Sequence, residues 1–221
     1  MLEAIFNPEN AVFRMINKLL DLMVLSLVWA VCCIPVVTAG AASAALYYAV
    51  VKAVRRQRSY PVREFWKSFR ANLKKGILIQ VIWLMLAAMM LISDVPLFAA
   101  LLNGKEIQDR VLLVLLAVKA VFLAGMPCWL YPLLSRFEQR LLRLAEAALY
   151  MLLRYFPITL LGVILLLGAW LLLAWEPLLV VLVPGITAML LSFFLEPFLR
   201  KLVRPGEAQE EDADAWDLER G

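Results

Sequence analysis

The chain has 221 residues, of which 64% are hydrophobic and 18% charged, and its mean hydropathy of +0.82 is more than a water-soluble core of this size absorbs. It contains no His, which removes the commonest general base and the commonest transition-metal ligand. Its cysteines, Cys32, Cys33 and Cys128, sit in apolar runs without zinc-site spacing, so they read as small core residues.

Glu3, Pro8 and Glu9 precede the first apolar run, and no small-residue cleavage site follows closely. The first apolar helix is therefore expected to stay in the protein rather than leave as a signal peptide. That run, 19–37, closes at Pro35 and the small-residue stretch TAGAAS, where the chain turns. The next run, AALYYAVVKAV, is short for a span; it reads either as a second crossing or as the rising arm of a re-entrant hairpin. Gly40, Ala41, Ala42, Ser43 and Ala45 suit it to close packing on the first helix.

Runs 76–92, 111–134, 157–175 and 177–199 follow, each near the roughly 20 residues that a hydrocarbon core about 30 Å thick requires. Pro127 and Pro184, each beside or one residue from a glycine, are expected to kink the fourth and last spans. The predicted fold is an all-α polytopic transmembrane helix bundle forming one domain over 1–204, with spans near 17–37, 39–54, 76–94, 111–134, 157–175 and 177–199. The alternative is five spans plus a re-entrant hairpin. An acidic, flexible tail is expected over 205–221.

Loop charge orients the bundle, because Lys and Arg in short loops mark the cytoplasmic side. From Lys52 to Lys75 there are nine cations against the single acid Glu64, so the 55–75 loop is expected inside. NGKEIQDR and the WEP turn read as outside; Arg136, Arg140, Arg143 and Arg154 read as inside, as do Arg14, Lys18, Arg200, Lys201 and Arg204. Both termini then fall on the cytoplasmic face of a bacterial cell membrane.

Two cytoplasmic segments have amphipathic spacing. In REFWKSFRANLKK, Phe65, Trp66, Phe69 and Leu73 share one side and Arg63, Lys67, Arg70 and Lys74 the other. This helix is expected to lie in the headgroup region or to dock a cytoplasmic partner; nucleic acid is not expected, since the aromatics serve the membrane. The helix expected over 136–155 sets Leu141, Leu144, Leu149 and Leu152 among charges. It contains Glu146, Ala147 and Ala148, similar to the core of the EAA loop of ABC-importer permeases, without the glycine that normally follows.

Asp21, Gln80, Asp94, Lys119 and Glu196 fall within apolar runs, where polar groups are costly and need partners. Asp21 and Glu196, near cytoplasmic ends, are expected to be solvated at the boundary. Lys119 lies eight residues, or about 12 Å, from the outer end of its span, and Asp94 is near the outer end of the antiparallel span before it. The two are expected to pair. No nucleophile, base and acid set, cofactor motif or Gly-rich loop ending in Gly-Lys-Ser/Thr occurs, so neither enzymatic activity nor an intrinsic ATPase is expected.

The segment FNPENAVFRMINKLLDLMVLSLVWAVCCIPVVTAGAASAALYYAVVKAVRR and the following SFRANLKKG resemble the YesL-like membrane proteins of Gram-positive bacteria, a domain of unknown function. The likeness is densest over about the first 80 residues. Members of that family are typically encoded beside carbohydrate ABC importers, solute-binding proteins and polysaccharide-degrading enzymes. The resemblance implies an accessory subunit of an oligosaccharide importer, binding permease subunits and, through them, a solute-binding protein and an ATPase. A stand-alone small transporter and a membrane scaffold or sensor are the alternatives; the lack of a visible inverted repeat weighs against the transporter.

Overall fold

A computed structural model describes residues 11–55, 60–102, 110–137 and 140–202, and all its regular elements among those residues are helical. They are α1 (Ala11–Cys32), α2 (Ala39–Ala49), α3 (Pro61–Leu102), α4 (Arg110–Arg136), α5 (Leu141–Arg154), α6 (Phe156–Trp175) and α7 (Val183–Leu202). Short 3-10 turns, Val36–Thr38 and Pro177–Val181, precede α2 and α7, and a π-helical turn, Val50–Arg55, extends α2. Among the described residues five helices are long and apolar enough to cross a membrane, and Val183–Leu199 is a shorter apolar one. The expected tail, 205–221, lies outside the described residues.

The shortest of the apolar runs sits at the centre. Ala41, Ala42, Ala44, Ala45, Ala49 and Val50 of α2 and its extension are fully buried. One face of α2, with Ala44, Tyr47 and Val51, packs in a cluster with Trp129, Leu133, Leu152 and Leu195; the other, with Ala42, Ala45 and Val50, meets Leu22, Leu25, Phe65 and Ala188. Small side chains make this possible, since they let helix backbones approach closely. A Cβ placed on Gly76 of α3 falls 2.7 Å from Cα of Ala41, and one on Gly40 falls 2.9 Å from the Gly76 carbonyl oxygen. The small-residue stretch thus makes its close backbone approach to α3 and not only to α1, the neighbour expected from sequence.

Two boundaries differ from the sequence-based expectation. The expected basic loop 55–75 is helical from Pro61 and continuous with the third span, giving a helix of 42 residues, about 63 Å long at 1.5 Å per residue. Gly76 is the residue where a break is most natural, but it is buried in the crossing with α2 and the helix runs through it. The last span does not begin at Pro177 with a kink at Pro184. The chain forms a 3-10 turn first, and Pro184 occupies the first turn of α7, where its missing N–H breaks no intrahelical bond. The N–H of Gly185 donates to Ser26 Oγ at 2.9 Å, and that hydroxyl donates to the Leu22 carbonyl at 2.8 Å. A side chain at 185 has no room, its Cβ position being 2.7 Å from both acceptors. Pro127 and Pro132 both lie within α4.

The α2–α3 register divides the bundle along its axis. Lys52 meets Glu64 at one end and Gly40 meets Gly76 and Gln80 at the other, so α2 runs antiparallel beside the first half of α3 only. From Gln80 to Leu102, α3 continues about 33 Å past the start of α2. In that distal half Ile82, Met85, Met89 and Ile92 of α3, Val114 and Val118 of α4, and Leu167 and Trp170 of α6 are exposed, as lipid-facing side chains are in a bundle isolated from its membrane.

Candidate functional site

The polar residues of the apolar segments gather into three groups. The first is in the distal half. Lys119 Nζ on α4 lies 2.6 Å from Asp94 Oδ1 on α3 and donates to Ser93 Oγ at 2.8 Å. The Ser93 hydroxyl donates onward to the Met90 carbonyl at 2.6 Å. The side chains of Lys119 and Asp94 keep 35% and 14% of their exposure, so the pair sits at the rim of the two helices.

The second group is buried against α2. Glu196, expected at a solvated boundary, is 1% exposed. One of its carboxylate oxygens is ion-paired with Arg136 Nη2, and the other accepts from Tyr47 Oη at 3.4 Å. Arg136 ends α4, in a segment expected on the cytoplasmic side; its long stem lets the guanidinium turn inward to a buried carboxylate. Beside this group Arg55 Nη1 donates to the Ser192 carbonyl at 2.8 Å and covers the Phe193 ring. Lys52, one turn earlier, reaches Glu64 Oε2 and Tyr48 Oη, each at 3.2 Å. The cations of the π-helical turn therefore fasten α2 to α7 and to α3. Such widened turns recur at functional positions.

Three neutral pairs complete the internal bonding. Tyr131 Oη donates to Gln80 Oε1 at 2.6 Å, Trp129 Nε1 to Thr159 Oγ1 at 2.9 Å, and Trp29 Nε1 to Ser43 Oγ at 3.2 Å. Each satisfies a polar group within an apolar helix by a partner on another helix, as a low-dielectric surrounding requires.

The third group is the amphipathic first part of α3. Arg63, Lys67, Arg70 and Lys74 are all exposed, as is Trp66, whose ring lies under the Arg70 guanidinium. Phe65, expected on the contact surface, is instead fully buried among Leu22, Leu25, Val50, Val54 and Ala188. Phe69 stacks on it, partly buried. The reason is α2: its small residues open a seat on α3, and the aromatic residue facing it fills the seat instead of entering the headgroups. Glu146 is exposed on α5, which buries Leu144, Ala148, Met151 and Leu152 and leaves Leu149 outward.

The ion pairs anchor helices and the stripe presents positive charge. No group of three or more His, Cys, Asp or Glu able to hold a metal occurs among the described residues.

Fold and polar groups together define an all-helical membrane protein in which Lys52–Glu64, Lys119–Asp94 and Arg136–Glu196 join helix to helix. Residues 22–94, which run from α1 through α2 into the distal half of α3, match the family described as "Protein of unknown function, DUF624". Comparison with curated proteins and with solved structures found no match. The matched segment contains the α2 seat, the Gly40–Gly76 crossing and the cation stripe, and ends at Asp94.

Proposed function

We propose that this chain is an accessory membrane subunit of a bacterial carbohydrate ABC importer, binding the permease subunits and depending on a separate ATPase. The observation that carries the reading is the exposed row of Arg63, Lys67, Arg70 and Lys74 beside Trp66, on a helix continuous with a membrane span. A charged, aromatic-edged surface held on a rigid helix suits docking better than catalysis. The DUF624 match and the resemblance to YesL-like proteins, which belong to that family, support it through the importer genes those proteins accompany.

In this reading the protein lies in the cytoplasmic membrane with both termini inside. The turn between α1 and α2 abuts α3 near Gln80, which favours a hairpin that enters and leaves on one face over two full crossings. Both arrangements leave the termini cytoplasmic, and labelling Ile34→Cys in a C32S/C33S/C128S background with an impermeant thiol reagent from either side separates them.

Affinity purification in mild detergent from the native host tests the function. Permease subunits are expected to co-purify, and to be lost when Arg63, Lys67, Arg70 and Lys74 are changed together to Glu. Recovery of a lone homo-oligomer overturns the reading. The Asp94–Lys119 pair is the feature favouring a stand-alone transporter, and solute flux into liposomes holding only this protein decides for that alternative.

A further inference from the structure

Arg63, Lys67, Arg70 and Lys74 are spaced by four, three and four residues, so on α3 they form one stripe about 16 Å long. Among the described residues the ion pairs are Lys52–Glu64, Lys119–Asp94 and Arg136–Glu196; no described carboxylate serves the stripe. Four like charges side by side on one helix face repel one another, and an anionic partner relieves that cost. The chain carries a partner of the right sign. Residues 205–221 hold seven acids, among them Glu210, Glu211, Asp212 and Asp214, against the single cation Arg220.

Reach favours the same conclusion. Ala41 lies against Gly76 and Lys52 against Glu64, so Tyr47, between them on α2, sits at the level of the Arg70 turn of α3. Tyr47 bonds Glu196 of α7, which places the last turns of α7 at the level of the stripe, with α2 between. Two helix–helix spacings of 8–10 Å make the separation about 20 Å. The 12 residues from Leu202 to Asp214 extend up to about 40 Å, enough to pass around the bundle. A segment tethered at that distance is present at an effective concentration on the order of millimolar.

We propose that the acidic segment 207–219 docks on the Arg63–Lys67–Arg70–Lys74 stripe of its own chain, covering it until a stronger anion displaces the segment. The proposal stands apart from the importer reading, because it is tested on the purified full-length protein alone. Trp216 is replaced by the photocrosslinking residue p-benzoylphenylalanine, and adducts are mapped by mass spectrometry in lipid nanodiscs. Expected are adducts on 61–75 in a species of monomer mass, falling several-fold between about 50 mM and about 500 mM salt as the screening length shrinks. K67E/R70E reduces them, and adding E210K/D212K restores them.

Adducts confined to other helices, or found only at dimer mass, overturn the proposal. So does a signal present in neutral-lipid nanodiscs and lost in phosphatidylglycerol ones, which assigns the stripe to lipid headgroups. Lys67 and Arg70 are exposed on α3, so K67E/R70E leaves the packed interior of the bundle unchanged.

Discussion

The bundle has two halves that use the same chemistry in different surroundings. Around α2, Arg136 and Glu196 form an ion pair whose side chains are 7% and 2% exposed; in the distal half, Lys119 and Asp94 form one at 35% and 14%. The glycines divide the same way. Gly76 is seated against Ala41, whereas Gly168 on α6 has nothing within 4 Å of its Cβ position. Charge and small size matter only through what is packed around them: beside α2 the Arg136–Glu196 pair and Gly76 belong to a closed set of contacts, whereas the Lys119–Asp94 pair and Gly168 sit on more open faces of their helices.

The largest expected effect follows from breaking the buried pair. Arg136→Ala takes the cation away from the Glu196 carboxylate, which is 1% exposed and accepts from Tyr47 on α2, and removal of one member of a buried pair typically costs about 3–5 kcal/mol. The folded fraction surviving a heat step in detergent is expected to collapse. R136L/E196L, which removes both charges, is expected to recover much of the loss, since apolar replacement of such a pair is often neutral or better. Parent-like survival of Arg136→Ala would mean that burial does not set the worth of this pair.

Next comes the glycine comparison. Gly76→Leu forces bulk into a crossing where even a Cβ is 2.7 Å from the Ala41 backbone, and overpacking of this kind costs about 1–3 kcal/mol. Gly168→Leu, on an open face, is expected to match the parent or to stabilise the helix slightly through propensity. Equal losses in the two variants, measured by the same heat step, would erase the distinction between the halves.

Much of this layout was legible in the sequence, and the failures have a common cause. Apolar runs and turn residues are local signals, so the helices fall near their expected places. Asp94 and Lys119 were legible as neighbours because they lie at the same end of consecutive antiparallel segments, where connectivity alone brings them together. Arg136 and Glu196 are 60 residues apart, and their meeting depends on how α4 and α7 both pack on α2, which no spacing encodes. Phe65 and Trp66 are adjacent in an amphipathic pattern; which of them is buried depends on the seat offered by Ala45, Val50 and Leu22. Pro184 is expected from its apolar surroundings to kink a span; its place in the first turn of α7 depends instead on Ser26 of α1, which accepts the Gly185 N–H.

The smallest expected effect tests the distal half. Lys119→Met removes the cation from a pair at the rim, where the remaining Asp94 keeps some exposure and lies one residue from the Ser93 hydroxyl. Exposed pairs typically contribute about 0.2–1 kcal/mol, and hydrogen bonds between membrane helices average about 0.6 kcal/mol. A double-mutant cycle over Lys119→Met and Asp94→Asn, read as unfolding free energy in bicelles, is expected to give a coupling within that range. A coupling several-fold larger would mean that lipid desolvates this pair as fully as α2 desolvates the other, and the contrast between the halves would then be one of packing alone.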